Sequence, residues 1–183
     1  YIGQAVVNSD CCLLTGGRIG AGMAATQGAV EACLERNIDP KERIFSIVPE
    51  GMKPDFDFGT TLQAGVDKTA RRIALLSHAF GAIVIGGGKG TRSEVLIAVM
   101  EAIMNGFSLI PVRGTGGEAD RICAQIPPFP NPILNSAVPS LERGNAIVEM
   151  LREGHWFCDI EPVDAHYDWF QNPDMDKTAR KMY

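Results

Sequence analysis

The sequence has no apolar run approaching the roughly 18–20 residues needed to cross a bilayer, and nothing in it reads as a signal peptide. No membrane partner is expected, and the cytosol is the expected compartment. A C-x-x-C pair is also lacking. Cys11, Cys12, Cys33, Cys123 and Cys158 are odd in number and scattered, which points to reduced core thiols rather than a disulfide frame or a zinc site. His78, His155 and His166 have no helical or hairpin spacing that would let two of them share an ion, so no metal is expected. Nor is there an excess of positive charge: 17 Lys and Arg against 22 Asp and Glu give a net charge of -5. That excludes the broad basic surface of a general nucleic-acid binder and leaves room only for local clusters of cations. Aromatics are few, at 7%, but gather in the tail as Trp156, Phe157, Tyr167, Trp169 and Phe170. There they read as packing against the domain or a sister subunit, with base stacking on a ligand as the alternative.

Glycine is what the chain has in quantity, and its clusters follow short apolar runs. The 183 residues, 45% hydrophobic, suit a single domain. Tyr1 to Asn8 reads as the later part of a helix. In an alternating α/β chain a strand and its turn ordinarily precede such a helix, so a strand is expected ahead of Tyr1, and a ligand contact with it. Cys11-Cys12-Leu13-Leu14 then reads as a strand running into Thr15-Gly16-Gly17-Arg18, with a helix from Met23 to Arg36 and a strand at Ile44–Val48. Met52 to Gly65, rich in Pro, Gly, Asp and Thr, is expected to be a surface loop, either covering a crevice or merely connecting. A helix follows from Val66 to Ala79.

The central stretch is the strand Ala82–Ile85, then Gly86-Gly87-Gly88-Lys89-Gly90-Thr91-Arg92-Ser93-Glu94, then a helix to Asn105-Gly106. Glycines let a backbone approach a ligand closely, and the helix start behind them offers unpaired N–H groups and positive partial charge to an anion. Thr91-x-x-Glu94 also fits a capping box, which needs no ligand at all. A third unit repeats the pattern: strand Ser108–Val112, turn Arg113-Gly114-Thr115-Gly116-Gly117, then a helix. Pro127 to Pro132 is a strap, and Ser140 can cap a last helix from Leu141 to Glu153. The strap, this helix and the aromatic tail make a carboxyl-terminal part over 127–183.

Strands separated by helices imply right-handed crossovers, hence a doubly wound, three-layer α/β fold with a parallel sheet and helices on both faces. Ligands in such sheets sit beyond the carboxyl ends of the strands. The turns at Gly16, Gly87 and Gly116 are therefore expected to line one crevice, with Arg18, Lys89, Arg92 and Arg113 in or beside them and Arg71 and Arg72 on the preceding helix. A phosphorylated ligand follows from the group of cations.

From about Cys11 to Arg121 the chain resembles the SLOG superfamily of Rossmann-like domains. The resemblance lies in Thr15-Gly16-Gly17, Gly20-Ala21-Gly22-Met23, the Arg71-Arg72 pair and Gly-Gly-Gly-x-Gly-Thr-x-x-Glu over 86–94. It extends to the LOG ("lonely guy") phosphoribohydrolases, once described as lysine decarboxylases. That resemblance implies that Arg71 and Glu94 are the catalytic pair cleaving the N-glycosidic bond of a nucleoside 5'-monophosphate. Nucleotide and phosphate binding would fall to Thr15, Gly16, Gly17, Arg18, Arg72, Gly87, Gly88, Lys89, Gly90 and Thr91, with Arg113, Gly114, Thr115 and Gly116 from the last turn. No cofactor is required, and a homodimer or higher homo-oligomer is expected. Gly86 stands where those hydrolases have proline. The last turn looks more like uncharacterised SLOG proteins and molybdenum-cofactor carriers. Sensor domains of Thoeris-type anti-phage systems are also similar, and imply a cyclic ADP-ribose-derived signal held by Arg72 and Lys89 without turnover.

Overall fold

The structure is a computed structural model that describes residues 1–154; the aromatic tail, with His155, Cys158 and His166, lies outside the described residues. Helices and strands alternate: α1 (Ile2–Asn8), β1 (Leu13–Thr15), α2 (Ala21–Glu35), β2 (Ile44–Val48), β3 (Thr60–Gln63), α3 (Lys68–Ser77), β4 (Gly81–Val84), α4 (Lys89–Asn105), β5 (Ser108–Pro111), α5 (Gly117–Cys123) and α6 (Leu141–Arg152). Among the described residues every strand pair is parallel, as crossover helices require. β1, β2 and β3 form one ladder with Leu13 opposite Ile44 and Phe45 opposite Thr60. β4 and β5 form a second, with Val84 opposite Pro111.

All four residues of β5 and four of the five in β2 are buried, as strands covered on both faces should be. On one side α1 packs between α2 and α6; on the other α3 packs on α4. The largest apolar core joins Val84, Leu109 and Ile110 to Val95 and Ala98 of α4 and Ile147 and Leu151 of α6. Backbones of α1 and α2 touch, since a Cβ on Gly3 would sit 1.8 Å from the Ala25 carbonyl oxygen.

Most termini follow local chemistry. Ser140 Oγ accepts from the Arg143 N–H at 3.1 Å, and Gly106 closes α4 at φ 69°. Three expectations are corrected. The stretch 52–65 is not all loop, because Thr60–Gln63 pairs with β2 as an exposed polar edge strand. α3 begins at Lys68, because the Asp67 carboxylate accepts from the N–H groups of Thr69 and Ala70, both at 2.8 Å, and leaves Val66 79% exposed. Thr91 caps nothing: α4 starts at Lys89 with Gly88 as its N-cap, so the T-x-x-E pattern lies inside the helix.

Candidate functional site

The ends of β1 and β4 open into a crevice of about 560 Å³. Its floor is built from two glycine turns. At the first, Gly17 adopts φ +65°, and a Cβ there would stand 2.8 Å from the Pro54 side chain. Thr15 Oγ1 accepts from the Gly17 N–H at 3.2 Å, so buried Thr15 shapes this turn from beneath, and neither Thr15 nor Gly17, both expected there, lines the crevice. At the second, Gly86 and Gly87 both have positive φ, and a Cβ on Gly87 would meet Thr91 Oγ1 at 2.4 Å. Only glycine brings the backbone that close to the helix start.

Two helices then aim their N-termini at the same space. α2 starts behind Gly20 and α4 behind Gly88, and neither has a side-chain cap or an acidic residue in its first turn. Their unpaired N–H groups and dipoles favour an anion. The walls agree: among the described residues Arg18, Lys53, Lys68, Arg71 and Arg72 line the crevice, against one carboxylate, Glu94.

That carboxylate is held, not loose. Arg71 Nη1 donates to Glu94 Oε1 at 3.0 Å, and Arg72 Nε stands 3.8 Å from the same oxygen. Arg71 is only 7% exposed, with its guanidinium pressed on the first turn, so that a Cβ on Gly16 would lie 2.7 Å from Nη1. One ion pair thus ties the β1 turn to helices α3 and α4.

Of the residues expected from sequence, Gly16, Arg18, Arg71, Arg72, Gly87, Gly88, Gly90, Thr91 and Glu94 come together here. Lys89 is exposed and outside the lining, while Lys53 and Lys68, which no sequence pattern singled out, are inside it. The loop before β3 contributes Met52 and Lys53 and docks on the first turn: Asp55 accepts from Arg18 Nη1 at 2.7 Å and from the Ile19 N–H at 3.1 Å. Covering, not mere connection, is its placement.

The third turn departs from expectation. Arg113, Gly114, Thr115 and Gly116 do not line the crevice. Thr115 Oγ1 accepts from the Gly86 N–H at 2.9 Å, and the N–H groups of Glu118 and Ala119 donate to the carbonyls of Gly87 and Gly86, both at 3.0 Å. Arg113 donates to the Cys123 carbonyl, and its own carbonyl accepts from Arg143 at 2.7 Å. This turn supports the second turn from behind because α5 spends its first N–H groups on it.

Among solved structures the chain is similar to the X-ray structure of TM1055, a Northeast Structural Genomics Consortium target, with 25% identity, TM-score 0.61, and 81% of this chain and 84% of that chain covered. The fold is α/β and Rossmann-like. No protein-family model matches the chain, and no curated protein does. In Rossmann-like sheets the carboxyl-end crevice is the ligand position, and here that crevice is the cationic one. No helix among the described residues is long and apolar enough to cross a membrane. Burial pushes the thiols of Cys11, Cys33 and Cys123 up, which favours the protonated thiol at neutral pH.

Behind the crevice, Glu118 is 4% exposed and bonded to Arg121 and to Arg92, the latter at 3.2 Å. Burial would raise its carboxyl, but the hydrogen bonds and charges of both arginines outweigh this and hold it below its ordinary value of 4.5. Because the folded value lies below the unfolded one, the stabilisation is present above about pH 4.5 and is lost as pH falls through the folded value. Melting temperatures of wild type and Glu118→Gln should therefore differ at pH 7 and converge below pH 4.5. A difference that is constant with pH would show that the carboxylate's charge contributes nothing.

Proposed function

We propose that the chain is a nucleotide-binding protein of the SLOG type whose crevice hydrolyses the N-glycosidic bond of a nucleoside 5'-monophosphate. The observation that carries this reading is the Arg71–Glu94 pair, 3.0 Å apart, in a crevice entered by two uncapped helix N-termini. The helix ends with Arg18 and Arg72 take the phosphate. Glu94, oriented by Arg71, faces the ribose hydroxyls and stabilises the positive charge that develops at the anomeric carbon as its bond to the base breaks. Water supplies the hydroxyl that replaces the base; the base leaves with the bonding electrons and gains a proton, giving free base and ribose 5-phosphate. No cofactor takes part. The exposed Ile73, Phe80, Met100 and Met104 suit burial in a homodimer or higher homo-oligomer.

A second reading is favoured by one observation: two helix N-termini, not one, face the crevice, which suits a ligand with two phosphates. In that reading the site holds an ADP-ribose-type signal unchanged. A panel of nucleoside 5'-monophosphates, assayed for free base and ribose 5-phosphate, tests the first. Turnover above a Glu94→Gln control is expected for at least one member, and its absence across the panel overturns hydrolysis. Calorimetry with linear and cyclic ADP-ribose in parallel reads the second directly, and absence of heat removes it.

A further inference from the structure

We infer that Lys53 and Lys68 read the base of the bound nucleotide and select oxo bases, those with an exocyclic oxygen where adenine and cytosine carry an amino group. This rests on the proposed reading of the crevice as a nucleotide site and names its substrate class. The crevice cations divide by partner. Arg18 is paired with Asp55 at 2.7 Å, and Arg71 and Arg72 share Glu94 at 3.0 and 3.8 Å. Among the described residues Lys53 and Lys68 have no ion-pair partner, although both line the crevice. Both are nonetheless held in place. The backbone carrying Lys53 is tied at each end: the Met52 carbonyl accepts from Gln63 Nε2 at 3.4 Å, and the Asp55 N–H donates to the Gly17 carbonyl at 2.7 Å. Lys68 is the first residue of α3, fixed there by the Asp67 cap.

Topology sets the two lysines apart from the phosphate. The uncapped starts of α2 and α4 follow β1 and β4, whereas Lys53 follows β2 and Lys68 follows β3, farther out in the β1–β2–β3 ladder. α3 offers no competing phosphate seat, because the Asp67 carboxylate already occupies its first N–H groups. A nucleotide with its 5'-phosphate on the helix starts and its ribose at Glu94 therefore turns its base towards the lysines. Lys and Arg side chains only donate. Glu94 is held by both arginines, and the Thr91 hydroxyl stands at the α4 start with the phosphate. The carbonyls of Val48, Pro49 and Gly88 already accept from Ala64, Met52 and Arg92. An exocyclic amino group, a donor, finds no free side-chain oxygen at this end; an exocyclic oxygen accepts from either ammonium. The same contact favours the reaction. As the bond from the anomeric carbon to the base breaks, its electrons pass to the base, and in an oxo base the negative charge spreads onto the oxygen beside the ammonium. Water then gives its hydroxyl to the anomeric carbon and its proton to the base.

Calorimetric affinities for two matched pairs test this on the 183-residue chain: inosine against adenosine 5'-monophosphate, and uridine against cytidine 5'-monophosphate. The oxo member of each pair should bind about tenfold or more tightly. Lys53→Met combined with Lys68→Met should remove that preference, and each single variant should reduce it, so that unfolding of the double variant leaves the test intact. Equal affinity within both pairs overturns the inference. So does absence of heat with all four nucleotides, and so does a preference that survives both substitutions. If the lysines hold a second phosphate instead, the double variant weakens ADP-ribose binding and leaves the ratio within each pair unchanged, which overturns it as well. Base release measured on the same samples separates this inference from the reading beneath it. A lysine-dependent oxo preference in binding without release removes hydrolysis and upholds base reading; release with equal binding and equal rates within each pair upholds hydrolysis and overturns base reading.

Discussion

Glu94→Gln is expected to lower base release from a nucleoside 5'-monophosphate by about 10²–10⁴-fold while leaving nucleotide binding within a few-fold of wild type. The glutamine keeps the shape of the side chain and an oxygen that can still accept from Arg71 Nη1, so the link between the first turn and α4 survives. What it removes is the negative charge that faces the developing cation. Arg71, 7% exposed, then has only a neutral acceptor, at a stability cost of about 1–3 kcal/mol. Single-turnover base release, calorimetric affinity and Tm on one preparation separate these effects. Retained turnover in Glu94→Gln would mean that the carboxylate serves only to neutralise Arg71 and Arg72, and that another group carries the chemistry. A helix-capping role would instead lower Tm without touching chemistry, but the structure already gives that cap to Gly88.

The strands were legible where they are buried on both faces, because burial demands an apolar run: Ile44–Val48 and Ser108–Pro111 show one, and the polar, exposed Thr60–Gln63 does not. T-x-x-E over 91–94 misled because a capping box and an interior turn of helix share that spacing. What decides between them is the extended Gly88 backbone (φ -118°, ψ -149°), which no residue type announces. The Arg71–Glu94 pair spans 23 residues between two helices, so no local pattern could join them, and only the family resemblance put them together. Lys53 and Lys68 reach the crevice through the path of one loop and the register of one helix, neither of which leaves a motif. The three glycine turns look alike in sequence because all need positive φ. Two border the crevice, whereas the third gives its Gly114 and Gly116 N–H groups to Asp120 and braces the second through Thr115 Oγ1 and the N–H groups of Glu118 and Ala119.

That third turn carries the second large expectation. Gly117→Ala should cost about 2–6 kcal/mol, a fall in Tm of about 5–20 °C, and should weaken nucleotide binding as well. Gly117 has φ +57°, and a Cβ there would sit 2.2 Å from the Gly87 carbonyl oxygen and 3.0 Å from its nitrogen. The obstacle is backbone, which cannot swing aside as a side-chain tip can. Relief requires α5 to withdraw, and withdrawal breaks the bonds from Glu118 and Ala119 to Gly87 and Gly86 that hold the start of α4 in place. Gly116→Ala is the control for backbone strain without the contact. Gly116 has φ +79° and ψ -177°, a region nearly confined to glycine, but nothing within 4 Å of where an added methyl group would lie, so it should show only the conformational cost of about 1–3 kcal/mol and leave the crevice intact. The difference between the two variants isolates the contact of the third turn with the second. If both lose the same stability and bind nucleotide equally, the second turn holds its shape without support from behind, and the bonds from α5 follow that shape instead of setting it.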